Sequence, residues 1–284
     1  MLRNKRVGFL YPGDMGVFLA HSVQNSGYET LWCSEQRSQS TCQRAEQQDM
    51  VEVSSLVELC EQSSIIISIC PPHAASDVAY QVLQQHFTGI FVEANAISPE
   101  LSKRLSAAFA KKGVSYVDAA VFGGTNLTSK NTQIFLSGSK GEQIASIFSS
   151  GPVISKVISD EIGKASATKM CHSMYSKGIW AMLHTAVSAA EHYGIRDQLE
   201  SLWIKNNVNF TENTYKNMQR TSKKAWRFSA EMNEISSTFH AAGLPDGFSK
   251  ASSEVYRRLV KFKEYDQEPD IEEIINTLLR LDEQ

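Results

Sequence analysis

No stretch of this chain approaches the ~20 apolar residues needed to cross a bilayer. The first apolar run, 6–11, stops at Pro12-Gly13, too soon for a secretory leader. Cysteine is sparse: Cys33, Cys42, Cys60, Cys70 and Cys171 are odd in number and scattered, without paired metal-ligand spacing. That argues against a disulfide framework and leaves no zinc or iron signature. Neither sign of charge dominates, with 28 basic against 31 acidic residues and a net charge of −3. A general attraction to nucleic acid or anionic membrane is therefore not expected. The chain has no internal repeat, no Gly-x-Ser-x-Gly elbow, no Walker phosphate loop and no calcium loop. At 42% hydrophobic and 21% charged residues it reads as a globular chain of 284 residues. The compartment expected from these cysteines is reducing and cytoplasmic.

Proline is also absent from Ile162 to Tyr193, where Ala, Met, Leu and Glu favour helix. Met170, Met174, Met182, Ala186 and Ala189, with Leu183 and Ala190, recur at helical spacing and are expected to form its apolar face. Lys169, Ser173, Lys177, Trp180 and His184 form a different stripe. Short apolar runs alternate with helical segments before this helix, and no strand pattern follows it. Lys169 is thus expected at a domain junction, where ligand clefts tend to form.

Eight strands are expected in the first half, near 6–11, 28–33, 51–53, 64–70, 89–95, 114–119, 133–137 and 151–157, alternating with helices as in an α/β domain. The first runs into Tyr11-Pro12-Gly13-Asp14-Met15-Gly16 and then a helix. Strand, glycine turn and helix is the setting of a dinucleotide fingerprint, with Gly13 and Gly16 at its second and third glycine positions and Tyr11 at the first. Phosphates would rest on the N–H groups that open the helix. After the second strand come Ser34, Arg37 and Ser38, which suit a 2′-phosphate and favour NADP(H) over NAD(H). Glu35 points the other way, since a carboxylate there can take a 2′-hydroxyl. The fourth strand ends at Cys70-Pro71 and the fifth at Asn95, both at the ligand-binding edge of an open sheet. Val121-Phe122-Gly123-Gly124 follows the sixth strand, and the paired glycines expose N–H groups able to hold an oxyanion. Beyond Gly194 the pattern is helical, near 196–204, 207–221, 224–241, 247–261 and 270–281. Within it Lys216, Arg220, Lys223, Lys224 and Arg227 read either as a solvated face or as carrying an arginine that holds an anionic substrate.

Three stretches together resemble the β-hydroxyacid dehydrogenase and 6-phosphogluconate dehydrogenase superfamily: Gly8 to Gly16, Asp118 to Gly124, and Gly163 to Cys171. Trp226-Arg227 with Glu231-Met232 and Glu234-Ile235 resembles its phosphogluconate-dehydrogenase-like branch. The resemblance implies an N-terminal Rossmann domain, 1–160, then a long interdomain helix opening an all-α substrate and dimerisation domain, 161–284. It implies an NADP-dependent oxidoreductase acting on a hydroxy acid or related alcohol, with Lys169 as general acid and base beside Ser173. A desolvated lysine can take a proton near neutral pH while hydride leaves for nicotinamide. Implied cofactor contacts are Tyr11, Pro12, Gly13, Asp14, Met15, Gly16, Ser34, Arg37, Ser38, Cys70, Pro71 and Asn95. Implied substrate contacts are Phe122, Gly123, Gly124, Lys177 and Arg227, and no metal is expected. The chain departs from the family where Ser173 replaces an asparagine, Ala120 a proline and Phe122 a serine; Phe122 points to a larger or partly apolar substrate. Imine or ketone reduction, decarboxylation of a sugar acid, and an inert NADPH-binding sensor are alternatives on the same scaffold.

Overall fold

Ser64 to Cys70 offers almost no polar face, and such a strand is stable only with helices over both sides. In the computed structural model it is β4 (Ile65–Ser68), inside an eight-stranded sheet of order β3-β2-β1-β4-β5-β6-β7-β8. The structure describes residues 5–127, 131–206 and 210–279. The other strands are β1 (Arg6–Leu10), β2 (Glu29–Cys33), β3 (Val51–Val53), β5 (Ile90–Glu93), β6 (Ser115–Phe122), β7 (Thr132–Ser137) and β8 (Val153–Ser159). The α/β reading holds, with all eight expected strands present. β1 to β6 pair in parallel; β7 runs antiparallel to β6, and β8 parallel to β7.

Helices α1 (Asp14–Asn25), α2 (Gln39–Gln47), α3 (Leu56–Gln62), α4 (Ala75–Leu83), α5 (Pro99–Lys111) and α6 (Gly141–Ser146) cover the two faces. Alternate side chains of one strand enter different cores. Ile65 and Ile67 join Phe9, Phe18, Leu19 and Val92, whereas Ile66 joins Leu59, Val78, Phe91 and Phe109. Phe91 and Phe109 stack with ring centroids 4.3 Å apart, a contact beyond simple area burial. Strand order reverses between β1 and β4, the switch point where open α/β sheets take ligands.

The chain divides into two compact units, Met1–Met170 and Cys171–Gln284. The second holds α8 (Ile179–His192), α9 (Arg196–Asn206), α10 (Phe210–Ser222), α11 (Ala225–Ala241), α12 (Gly247–Arg258) and α13 (Ile271–Leu279), with no strand among the described residues. Parts of the expected helices at 207–209 and 280–281 lie outside the described residues. At the expected stop after α11, Gly243 takes φ 72° and the Leu244 N–H closes on the Phe239 carbonyl at 2.9 Å, a glycine C-cap.

The stretch expected as one helix from Ile162 to Tyr193 is interrupted. It comprises α7 (Lys164–Ser173), a π-helical turn at Met174–Gly178, and α8. Single π turns recur at functional sites. The expected division of faces also changes. Met170 is buried, but Met182 is 63% exposed, whereas Ser173 and His184 of the polar stripe are fully buried. The physical reason is partnership. Ser173 Oγ donates to Glu231 Oε1 at 2.5 Å, and His184 Nε2 pairs with Thr221 Oγ1 at 3.1 Å. Burial pushes the His184 imidazole down to about 3, so it stays neutral.

Asp118, fully buried in β6, sets the start of α7. Its Oδ2 accepts from Ser137 Oγ at 2.9 Å and from the N–H groups of Gly163 and Ser166 at 3.0 Å each. Its Oδ1 accepts from Ser166 Oγ at 2.5 Å. A carboxylate there satisfies orphan donors of the first turn and suits the positive end of the helix dipole. Asp118→Ala strands four buried donors, each costing about 1–3 kcal/mol. The expected loss of unfolding free energy is at least ~3 kcal/mol, with a smaller loss for Asp118→Asn. Urea denaturation of the three proteins checks this, and a loss under ~1 kcal/mol for the alanine variant would refute the anchoring role.

Candidate active site

The turn between β1 and α1 keeps its helix end open. Gly13 is the N-cap of α1 and no side chain caps it, so the first-turn N–H groups point outward without intrahelical acceptors. No atom lies within 4 Å of where a Gly13 Cβ would be, whereas a Cβ on Gly16 would meet the Tyr11 carbonyl at 3.3 Å and Ile69 at 3.4 Å. Space at the second glycine and tight packing at the third is the division of labour that a dinucleotide requires. These residues fit a pyrophosphate against the helix end. Around them, Pro12 is buried, Met15 packs on the sheet core, and Asp14 is exposed and pairs with Arg44 at 3.5 Å.

Tyr11, at the first glycine position, adopts φ 63°, the left-handed region that glycine favours. The guanidinium carbon of Arg37 stands 3.7 Å from the centroid of its ring. Arg37 arrives there from the end of β2 through a turn in which its N–H donates to the Ser34 carbonyl at 3.1 Å. Ser38 caps α2, accepting from the Thr41 N–H at 3.3 Å and sharing its hydroxyl with Ser40 and Thr41. The structure therefore brings Tyr11 and Arg37 together.

Asn95 is 4% exposed. Its Oδ1 accepts from the Cys70 N–H at 2.5 Å and its amide nitrogen donates to Ser68 Oγ at 3.0 Å and to Glu93 Oε1. The amide thus joins the ends of β4 and β5 beside Pro71. Burial pushes the Cys70 thiol up to about 12, which leaves it unreactive. Glu93 is fully buried, one of its oxygens has no partner, and desolvation, with the Asp118 charge adding, pushes its carboxyl up to about 8.

Lys169 Nζ, on the helix that Asp118 anchors, donates to the Val121 carbonyl at 2.7 Å and lies 5.0 Å from the Phe122 ring centroid. Phe122 packs against Phe135 with centroids 5.0 Å apart. Gly123, at φ 110°, and Gly124 follow it on the exposed side. In the second unit Ser173, Lys177 and Glu231 form a buried cluster. Lys177 Nζ is 2.8 Å from Glu231 Oε1 and 3.1 Å from Ser173 Oγ. Lys177 stands 5.4 Å from the Phe228 ring centroid; the exposed Arg227 places its guanidinium at the same distance from that ring.

Sequence reasoning assigned no role to Glu93, Glu231 or the Asp118 carboxylate. The available signal was a lone acid inside a buried apolar run, as in Ile-Phe-Val-Glu of β5 and the Val-Asp-Ala-Ala of β6.

The family model for the NAD binding domain of 6-phosphogluconate dehydrogenase matches residues 6–155. The chain belongs to the β-hydroxyacid dehydrogenase superfamily. That places it among NAD(P)-dependent dehydrogenases and reductases. Residues 190–259 match a second family, a domain of unknown function, DUF1932. A mitochondrial 3-hydroxyisobutyrate dehydrogenase of Drosophila melanogaster is 24% identical over 202 residues, 69% of this chain and 60% of that protein. The conserved protein MTH1747, of unknown function and described as structurally similar to 3-hydroxyacid dehydrogenases, is 28% identical. The match covers 91% of this chain and 98% of that one, with a TM-score of 0.65. The 3-hydroxyisobutyrate dehydrogenase of Salmonella typhimurium shares the fold at 17% identity and TM-score 0.71, over 95% and 99% of the two chains.

The buried acid beside the switch point makes a prediction about this superfamily member's stability. Glu93 is protonated in the fold up to about pH 8 but ionises near 4.5 when unfolded. Between those values the folded state binds the extra proton, so stability falls as pH rises through the window. Glu93→Gln, which keeps an acceptor for Asn95 and removes the titration, should flatten that fall and melt higher at the alkaline end. Thermal melts across the window check this; parallel curves for the two proteins would refute it.

Proposed function

We propose that the protein is an NADP(H)-dependent oxidoreductase that interconverts an alcohol, in a hydroxy acid or related compound, with its carbonyl, using Lys169 as general acid and base. The observation that carries this reading is the position of Lys169: a half-buried ammonium that donates to the Val121 carbonyl beside Phe122 and the Gly123-Gly124 turn, on a helix anchored through Asp118. When bound, the nicotinamide supplies the hydride acceptor or donor. The pyrophosphate would lie on the open end of α1 at Gly13, and Arg37 with Ser34 and Ser38 would receive the 2′-phosphate.

In the oxidative direction Lys169, unprotonated, takes the hydroxyl proton as the C–H bond breaks; in reduction its ammonium returns that proton to the carbonyl oxygen. The exposed N–H groups around Gly123 and Gly124 would hold a substrate oxyanion. The Phe122 ring leaves an apolar wall where a hydroxyl would otherwise bind acid, which favours a substrate with a larger or apolar side. Ser173 and Lys177, neutralised by Glu231, are assigned to polar groups of the substrate. Arg227, exposed on α11, is assigned to an anionic end. We further propose a cytoplasmic homodimer formed through the helical unit, whose surface carries Tyr175, Ile179, Met182 and Phe248.

A screen of hydroxy acids, alcohols, ketones and imines, followed by NADPH absorbance, supplies the matched substrate. With it, Lys169→Ala should lower kcat by about 10²- to 10⁴-fold while NADPH binding stays within a few fold. Unchanged turnover would remove Lys169 from the chemistry. Arg37→Ala should weaken NADPH binding in a fluorescence titration and leave NADH binding near wild type. Equal loss for both cofactors would rule out recognition of the 2′-phosphate by Arg37.

A further inference from the structure

A tyrosine is an unfavourable choice for the first glycine position of this turn. At φ 63° its Cβ is crowded by the backbone, a strain that glycine would remove. Strain of this kind, when retained, points to a function that the surrounding structure holds in place. The ring it places there lies 3.7 Å below the Arg37 guanidinium. A second left-handed residue, Gln36 at φ 58°, precedes Arg37 and turns that residue out of the β2 line. Left-handed backbone thus occurs at Tyr11 itself and at the residue before Arg37. No carboxylate lies within 4 Å of the Arg37 guanidinium among the described residues, and its N–H groups make no hydrogen bond there; its partner is the ring face.

A guanidinium held 3.7 Å from the centroid of an aromatic ring is restrained, while its N–H groups remain available for a bidentate anion. We propose that Tyr11 is a positioning residue for cofactor choice: its ring holds Arg37 edge-on to a 2′-phosphate, so the first-glycine position has exchanged backbone ease for selectivity. Ser38, Ser40 and Thr41 present hydroxyls one turn away at the start of α2, ready to share the same phosphate. The inference rests on the NADP(H) reading above and extends it from the arginine to the residue that orients it.

The test uses the full chain and calorimetric titration with NADPH, NADH, 2′-AMP and 5′-AMP, beside thermal melts. Wild type should prefer NADPH over NADH and 2′-AMP over 5′-AMP. Tyr11→Phe keeps the ring and should preserve both preferences within twofold. Tyr11→Gly should cut both by about five- to tenfold, the size of a lost partly exposed cation–π contact. NADH should bind as before or tighter, and the melting temperature should rise as the left-handed strain is relieved. In an Arg37→Ala background, Tyr11→Gly should change the preference no further. If Tyr11→Gly keeps the wild-type preference while Arg37→Ala abolishes it, the positioning role is overturned and the NADP(H) reading stands. If wild type itself does not distinguish the paired ligands, both fall.

Discussion

Four donors converge on the Asp118 carboxylate in a place with no access to water. The interaction is strong because it joins a full charge to the orphan N–H groups of a helix start, in a setting where neither side has an alternative partner. It also joins parts of the chain that are distant in sequence: β6, β7 and the beginning of α7. Once Gly163 and Ser166 are tied to β6, the first turns of α7 have a set position along that strand. Lys169 then meets Val121, three residues beyond Asp118, at 2.7 Å. The proposed chemistry depends on an amine held at a strand end, and the anchor is what holds it.

Elsewhere the fold places polar groups inside and satisfies them from neighbouring elements. Asn95 gathers the ends of β4 and β5, and the uncharged Glu93 behind it keeps that amide turned toward Cys70. In the helical unit Ser173, just before the π-helical turn, and Lys177, within it, share Glu231. A lysine and a glutamate removed from water are tolerable because each neutralises the other and the serine adds a hydrogen bond. The wider turn has a local cause as well: Gly178 leaves room for Met174, whose sulfur and methyl would sit 3.2 Å from a Cβ there. At the β1–α1 turn the first turn of α1 stays uncapped and the Arg37 guanidinium stands over the Tyr11 ring, the two features on which the proposed cofactor reading rests.

Much of this is legible in the sequence alone. The apolar runs of β1, β4 and β5 announce buried parallel strands, Gly13 and Gly16 announce a close approach at a helix start, and the proline-free stretch after Ile162 announces helix. The place of Lys169 at a junction followed from the pattern, but its candidate role came only through resemblance, because a single lysine on a helix has no signature of its own. The long helix's faces were misread for a definite reason. Periodicity ranks side chains by apolarity, and it has no knowledge of Glu231 or Thr221, which partner the buried Ser173 and His184 of the polar stripe, while Met182 stays at the surface.

The sequence by itself determined the alternation of strand and helix, the glycine turn and the helical second half, since these follow from hydrophobic period and local backbone preference. The tertiary structure decided which polar atoms meet: Asp118 with the start of α7, Arg37 with Tyr11, Lys177 with Glu231. Each of those pairs spans 26 to 54 residues of chain. Hydrogen bonds and ring contacts act over a few ångströms of space, so no local pattern along the chain encodes them.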